Sequence, residues 1–133
     1  MDTHVKDVLH ECTKGSDDGS LPFQRIVMKL MEVGVEQYHA DLQRAEKTYY
    51  MTNGESHVMA SAPLERESAR VFSADGVEAA IRASQAQKIK YKEFCERIAT
   101  AGCVGYFVSL AGRRAVYFGR TGDSHVEPFP AAS

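Results

Sequence analysis

The feature that most constrains how this chain can fold is an internal repeat at a fixed offset of 68 residues, as between Val58 and Val126. The segment GESHV ends at the first of these valines, and the segment GDSHV ends at the second. The correspondence extends without a gap back to Leu21 in one copy and to Ile89 in the other. Identical pairs include Gly34 with Gly102, Tyr38 with Tyr106, Tyr49 with Tyr117 and Gly54 with Gly122, whereas Met51 stands against Gly119. Because similar apolar patterns favour similar elements, the chain is predicted to contain two units of the same structure.

Each copy contains an amphipathic helix that is followed by glycine. Apolar residues recur at i, i+3, i+4, i+7 and i+8 from Phe23, and again from Tyr91. This spacing places them on one face of a helix. Gly34 and Gly102 stand where these helices are predicted to end, at a position that favours glycine because it requires a left-handed backbone.

A further amphipathic helix precedes each of these, but there the offset between the copies is 72 residues, as between Val5 and Val77. The extra four residues fit a polar insertion at 15–18 in the first copy. Thr3 and Asp75 are then the predicted N-cap residues of the two helices, since Thr and Asp side chains accept hydrogen bonds from the free N–H groups of a first turn.

Strand patterns follow the glycine of each copy. Inward and outward residues alternate along the next segment, as in a strand with one buried face. An aromatic pair then marks a second strand, a turn with glycine follows it, and Ser-His-Val begins a short third strand. The strand segments are 37–42, 49–50, 104–110 and 116–118, and the turns are Asn53-Gly54 and Thr121-Gly122.

The repeat therefore predicts an α+β fold, a tandem duplication of a helix-helix-β-meander unit. The units are predicted at about 3–58 and 75–126, with a linker at 59–74, within one domain of residues 1–133. A unit of about 60 residues buries little apolar surface alone, so the two units are expected to share one core. That core would contain about four helices and an antiparallel sheet, formed by merging or packing of the two meanders.

Composition and charge restrict the classes of function. Hydrophobic residues make up 44% and charged residues 26%, as in ordinary globular domains. The net charge of −2 divides into −5 for residues 1–68 and +3 for residues 69–133, so the chain lacks the broad basic surface of a nucleic-acid-binding protein. No apolar segment approaches the roughly 18 residues of a membrane span, and the first residues lack a signal peptide's apolar block. A cytoplasmic location, with neither membrane nor nucleic-acid partners, is predicted.

No motif in the chain predicts a cofactor. The glycines around Gly112 and Gly119 form neither a dinucleotide-binding nor a phosphate-binding pattern. Cys12, Cys95 and Cys103 contain no C-x-x-C pair and fall within apolar patterns. They are therefore predicted to be reduced and buried, and the chain is predicted to hold no cofactor.

Several segments together resemble a known family. YKEFCERIATAGCVGYFV, followed by VYFGRTGDSHVEPFP, is similar to the YbcV-like family of small bacterial and prophage-associated proteins, catalogued as phage envelope proteins. The segments FQRIVMKLMEVGVEQYHADL and TYYMTNGESHV look like a degenerate form of the same unit. The resemblance covers about residues 1–130, and it implies no established activity, cofactor or catalytic residue.

Serine beside histidine in the repeated segment suggests a catalytic pair, but adjacent side chains of a strand point to opposite faces. Ser56-His57 and Ser124-His125 are therefore predicted to be structural, at the edges of hairpins. A metal site is the alternative: if the units pack about a twofold axis, His57 and His125 could converge, and two histidines with nearby carboxylates suit Zn²⁺.

The function that these patterns favour is a non-enzymatic binding or interaction module with an accessory bacterial or prophage role. Its partner would be an unknown protein or small molecule, and the pattern is compatible with a homo-oligomer. The alternative is a small metal-dependent enzyme that uses the two histidines. The candidate binding residues are His57, His125, Tyr49 and Tyr117.

Overall fold

The structure, a computed structural model, describes residues 1–130 of the 133-residue chain. It has the predicted α+β fold, with four helices and one six-stranded antiparallel sheet. Each half follows the order helix, helix, strand, strand, strand. The first half contains α1 (Thr3–Asp17), α2 (Phe23–Glu32), β1 (Val35–Asp41), β2 (Glu46–Met51) and β3 (Ser56–Ala60). The second half contains α3 (Ala74–Gln85), α4 (Tyr91–Thr100), β4 (Cys103–Ser109), β5 (Arg114–Gly119) and β6 (Ser124–Pro128).

The strands form a single sheet in the order β3-β2-β1-β4-β5-β6. Each half contributes a three-stranded meander, and the meanders merge where β1 pairs antiparallel with β4. His39 pairs with Phe107, its equivalent at the offset of 68, so an approximate twofold axis passes through the sheet between these strands. The first strand of each half therefore lies at the centre, while β3 and β6 form the two edges.

All four helices pack on one face of the sheet, and each contributes a fully buried side chain to the core. The sheet adds buried tyrosines whose rings pack in pairs, with centroids 5.5 Å and 5.1 Å apart. The opposite face, called here the outer face, carries no helix within residues 1–130, so its side chains are partly exposed. The helical core residues are Leu9, Leu30, Val77 and Ile98, and the tyrosine pairs are Tyr38 with Tyr49 and Tyr106 with Tyr117.

The N-cap residues of α1 and α3 precede the predicted ones. Asp2 caps α1 and Ser73 caps α3, and each side chain accepts a backbone hydrogen bond from the first turn, at 2.7 Å and 3.0 Å. The predictions of Thr3 and Asp75 were wrong, because both already lie inside the helix. A cap needs extended backbone just outside the helix, and Asp2 and Ser73 have it, with ψ of 141° and 104°.

The buried stripe of α2 is narrower than its apolar pattern indicates. Ile26, Val27 and Leu30 are buried, whereas Phe23 is 40% exposed and Met31 is 52% exposed. In the sheet, α2 packs mainly against β1, so only the central stripe of its apolar face reaches the core.

Candidate functional site

The two predicted histidines lie at opposite edges of the sheet. His57 in β3 is paired with Tyr49, and His125 in β6 is paired with Tyr117. Four strands separate β3 from β6, and five strand spacings amount to about 24 Å. The two histidines therefore do not converge on one metal ion, and within residues 1–130 no group of three His, Cys, Asp or Glu side chains is placed to hold one.

Serine and histidine of each repeated segment face apart, as the alternation of a strand predicts. Ser56 is paired with Tyr50 on the outer face and is exposed, whereas His57 is half-buried on the face that carries the helices. Ser124 and His125 show the same alternation in β6. Neither pair is arranged as a nucleophile and its base, which must be within hydrogen-bond reach of each other.

The two predicted tyrosines are core residues. Tyr49 is 1% exposed, and its hydroxyl lies 2.8 Å from the hydroxyl of Thr13 in α1. Tyr117 is also buried. Burial raises the pKa of both phenols well above its usual value, so both are neutral hydroxyls at neutral pH. Their part in binding stays a prediction, and any contribution of Tyr49 would act through Thr13.

A groove of about 340 Å³ lies between α1 and the edge strand β3. The helix side of the groove is one stripe of α1, with residues spaced three and four apart. At the end of the groove, Asp17 accepts hydrogen bonds from the Ser61 hydroxyl at 2.9 Å and the Ala62 N–H at 3.2 Å, which ties the chain after β3 to the helix. The groove is lined by His10, Thr13, Lys14, Asp17, Asp18, Met59 and Ala60.

An ion pair occupies the corresponding position in the second half. Arg82 of α3 donates to Glu127 of β6 at 2.9 Å, and His125 Nε2 lies 3.2 Å from the same carboxylate. Burial opposes ionisation of Glu127, yet the hydrogen bonds from Arg82 and His125 lower the pKa of its carboxyl below the usual value. The equivalents in the first half are His10 and Met59, which cannot form this pair. The helix-to-edge space is therefore bridged in one half and open in the other.

A buried lysine lies beside the groove. Lys47 in β2 is paired with Met59 of β3, is 3% exposed, and projects among the helices. Its ammonium is 3.3 Å from the Ser16 hydroxyl and 4.3 Å from the centroid of the Tyr91 ring. Burial lowers the pKa of Lys47, and the nearby Asp17 carboxylate only partly opposes this shift. The Ser16 hydroxyl is the one hydrogen-bond partner of this ammonium in the described part of the chain, which is unusual for a buried charged group.

Sequence reasoning missed Lys47, although a signal was present. In β2 the inward positions alternate through Tyr49 and Met51, and Lys47 falls on the same alternation. Its equivalent at the offset of 68 is Ala115, a small core residue. A charged residue at an inward position, opposite an apolar equivalent, is the pattern that could have identified it.

The cysteines offer no reactive thiol. All three are free and buried, and burial raises the pKa of each thiol to about 11, so thiolate is scarce at neutral pH. A cavity of about 10 Å³ adjoins Cys95 and Lys47, enough for about one water molecule. The buried groups are therefore arranged for packing, whereas the groove is a concave feature that a ligand could reach.

Comparison with known proteins adds a family to this geometry. Residues 16–127 match the family described as Protein of unknown function (DUF1398). The chain belongs to this family. The DUF1398 match includes Asp17, Lys47, the Arg82–Glu127 pair, all of β3 and all of β6 except its last residue, but it begins after most of α1.

The DUF1398 description names no activity, so a phage association stays a prediction. No curated protein matches the chain. Within residues 1–130, none of the helices has the length and apolar character needed to cross a membrane.

Proposed function

We propose that this protein is a non-enzymatic interaction module that binds an extended peptide segment of a partner protein along the edge of β3. The observation that carries the proposal is the open groove between α1 and β3, at a position where the second half has the Arg82–Glu127 pair. The metal-dependent alternative is not proposed, because His57 and His125 lie at opposite edges.

The backbone of β3 supports strand addition. Met51 N–H donates to the Glu55 carbonyl and Ser61 N–H donates to the Ala45 carbonyl, both at 2.8 Å. These bonds show which cross-strand pairs of the β2–β3 ladder are hydrogen-bonded. Because hydrogen-bonded and non-hydrogen-bonded pairs alternate in an antiparallel ladder, every second residue of β3 directs its N–H and C=O away from β2. These residues are Ser56, Val58 and Ala60. An extended peptide can pair with such a free edge as a further strand.

The groove would receive the side chains of the added strand that face the helices. Its volume of about 340 Å³ is within the usual range of ligand sites, about 300–1,000 Å³. Asp17 and Asp18 stand at the end of α1, where the helix dipole also favours a cation. Lys14 also lines the groove, so a basic side chain of the peptide is favoured at the end beside Asp17 and Asp18 and not along the whole groove.

The predicted site residues take unequal parts in this proposal. His57 is on the groove side of β3, and Tyr49 supports the groove through its hydrogen bond to Thr13. Tyr117 and His125 stand beside the edge that Arg82 and Glu127 bridge, so their part would be structural.

We also propose that the units at about 3–58 and 75–126, with the linker at 59–74, arose by tandem duplication. The shared order of elements and the pairing of equivalent residues across β1 and β4 support this origin. The differences at the two edges then mark where the first unit has acquired a binding role. An accessory bacterial or prophage role is supported by the family resemblance, and a cytoplasmic setting by three free cysteines.

The experiment is an NMR titration of ¹⁵N-labelled protein with the capped hexapeptide Val-Lys-Val-Lys-Val-Lys. The expected result is a set of shifts at the amides of β3 and at residues 10–18. Replacing each lysine of the peptide with glutamate should weaken binding, because Asp17 and Asp18 would then face like charges.

Val58→Pro is the decisive variant, because it removes an outward N–H and leaves the β2–β3 ladder intact. Val126→Pro is its matched control, since Val126 occupies the equivalent position of β6. The proposal predicts that only Val58→Pro abolishes the shifts. Shifts that persist in Val58→Pro, or that map to β6, would show that strand addition to β3 is not the binding mode.

A further inference from the structure

We infer that the outer face of the sheet is a self-association surface, on which two copies of this chain pack with their strands crossed at nearly 90°. One row of side chains runs in register across all six strands of this face, and its two outermost valines are about half exposed. The row is mainly apolar, which is unusual for a face that carries no other layer. In order across the sheet it consists of Val58, Thr48, His39, Phe107, Val116 and Val126.

Two aromatic residues flank this row at diagonally opposite positions. Phe118 in β5 stacks on His39, with ring centroids 5.7 Å apart and planes inclined by 11°. Its ring lies over Gly105, where a Cβ atom would be only 2.9 Å from Phe118 Cζ. Tyr50, the equivalent of Phe118, is 38% exposed on β2 at the other end of the diagonal. The face therefore presents an apolar centre and one apolar diagonal.

The other diagonal carries charges of opposite sign. Asp41 and Glu46 form an adjacent cross-strand pair at one corner. Arg114 is exposed at the opposite corner, at the position equivalent to Glu46 under the offset of 68. Glu46 already accepts from Arg44 at 2.7 Å, but Asp41 keeps this corner acidic. One diagonal is thus apolar, and the other has an acidic end and a basic end.

The spacing of these residues selects one arrangement of two copies. Glu46 and Arg114 are three strands and four residues apart, or about 14 Å in each direction, so the four corners form a square. A twofold axis along the Tyr50–Phe118 diagonal places Glu46 of each copy over Arg114 of the other. The same axis crosses the strands at about 90°, which is one of the two preferred angles for packed sheets.

The competing arrangements leave the charges unmatched. If the strands of the two copies ran along the same direction, Glu46 would lie over an aromatic residue of the second copy, either Phe118 or Tyr50. An axis along the charged diagonal would bring Glu46 to Glu46 and Arg114 to Arg114. Like charges facing each other at an interface oppose association. Charge complementarity therefore favours the single arrangement in which opposite corners meet.

The size of the face indicates a weak dimer. Two crossed sheets with strands of about six residues overlap over about 20 Å by 20 Å. The overlap of about 400 Å² per copy, or about 800 Å² in total before the corrugation of side chains is counted, is below the roughly 1,200–2,000 Å² typical of stable interfaces. The expected behaviour is a reversible equilibrium, with monomer dominant at about 10 μM and dimer dominant at about 1 mM.

Sedimentation equilibrium of the full chain between these concentrations tests the inference. The weight-average mass should rise from 14.7 kDa towards twice that value. Glu46→Arg and Arg114→Glu should each weaken association by at least about tenfold, because each creates two like-charged contacts. The double variant Glu46→Arg/Arg114→Glu should restore it, since the opposite charges meet again with their signs exchanged.

Controls separate this surface from others. Met28→Glu on α2 adds a charge at an exposed site away from the sheet and should leave the dimer unchanged, whereas Phe107→Glu at the centre of the face should abolish it. Circular dichroism verifies that each variant is folded.

A chain that stays monomeric to 1 mM, or that binds only a different protein through this face, would overturn the inference. So would single charge reversals without effect, or a double variant that fails to recover. Peptide binding at the β3 backbone edge should be the same in Arg114→Glu, because β5 lies far from β3 in the sheet, so the two proposals can fail independently.

Discussion

At the scale of single residues, the two halves differ most where a charge replaces an apolar side chain. Lys47 stands in the first half where Ala115 stands in the second, and Glu127 stands in the second where Met59 stands in the first. Glu127 has Arg82 and His125 as hydrogen-bonding partners, but within residues 1–130 Lys47 has only the Ser16 hydroxyl and the Tyr91 ring. A desolvated charge reduces stability when no ionic partner compensates it, so we expect Lys47 to lower the stability of the fold.

Lys47→Met is expected to raise the free energy of unfolding by about 1–3 kcal/mol at pH 7, because methionine has a similar shape and no charge to desolvate. Urea denaturation measures the change. Lys6→Met, at an exposed site on α1, should alter stability by less than about 0.5 kcal/mol. A clear loss of stability in Lys47→Met would mean that the ammonium makes a net favourable contribution.

The gain from Lys47→Met should depend on pH. Burial lowers the pKa of Lys47 in the folded protein below 10.5, so the unfolded chain binds this proton more strongly. The wild-type free energy of unfolding therefore rises relative to that of the variant as pH increases from the folded pKa to 10.5. The difference between the two proteins should be largest at neutral pH and smaller at pH 10. Most tyrosine and cysteine titrations are common to both proteins and cancel in this comparison; those of Cys12 and Cys95 do not, because the Lys47 charge lowers the pKa of both thiols.

Gly34 and Gly102 occupy equivalent positions in the two halves but differ in their surroundings. Both Gly34 and Gly102 have the predicted left-handed backbone, with φ of +89° and +91°. A Cβ at Gly102 would lie 2.3 Å from the Val71 carbonyl oxygen, whereas at Gly34 the nearest atom, Thr52 Oγ1, would be 3.6 Å away. Gly34→Ala should therefore cost about 1–2 kcal/mol for the backbone alone, and Gly102→Ala clearly more. Equal losses in urea denaturation would contradict this account.

At the scale of elements, the periodicity of the sequence was sufficient to locate the helices and to order the strands along the chain. Periodicity was not sufficient to fix the first residue of each helix, because an N-cap depends on the backbone just outside the helix, as Asp2 and Ser73 demonstrate. The turn at Asn53-Gly54 was predicted in place, but its form is a three-residue loop closed by Met51 N–H to Glu55 O, with Gly54 left-handed. Such details depend on the twist of the flanking strands, which a linear pattern does not contain.

The central positions of α2 and α4 carry the packing of the helices on the sheet. Leu30 and Ile98 are both 0% exposed, so Leu30→Ala and Ile98→Ala should each lower the free energy of unfolding by about 2–5 kcal/mol. Met31→Ala is the matched control, since Met31 was predicted to be on the same face but is exposed. Urea titration should show less than about 0.5 kcal/mol for it. A comparable loss in Met31→Ala would mean that the buried stripe is wider than the structure has it.

At the scale of the whole molecule, the merging of two meanders determines where every candidate residue lies. Pairing of β1 with β4 places the last strand of each half at an edge, which separates His57 from His125 by the width of the sheet. The repeat predicted an approximate twofold relation but could not fix the axis, because several arrangements of two meanders bury the same apolar residues. The groove could not be predicted either, since it depends on which helix faces which edge.

Because His57 and His125 lie at opposite edges of the sheet, we expect their contributions to the free energy of unfolding to be independent. His57→Ala and His125→Ala should have effects on the free energy of unfolding that add within about 0.5 kcal/mol in the double variant, as for distant sites. The loss should be larger for His125→Ala, because that side chain contacts Glu127 while His57 contacts no ion pair in residues 1–130. Strong non-additivity, measured by urea denaturation of all three variants, would mean that the two edges meet in solution.

We propose that the β3 edge accepts an extended peptide and that the β6 edge does not. Paramagnetic relaxation tests this difference, with a nitroxide attached to one end of the Val-Lys-Val-Lys-Val-Lys peptide and ¹⁵N-labelled protein. Strand addition to β3 predicts strong broadening of the amides of β3 and of residues 10–18, and weak broadening in β6, which lies about 24 Å away across the sheet. Equal broadening at both edges, or stronger broadening at β6, would contradict it.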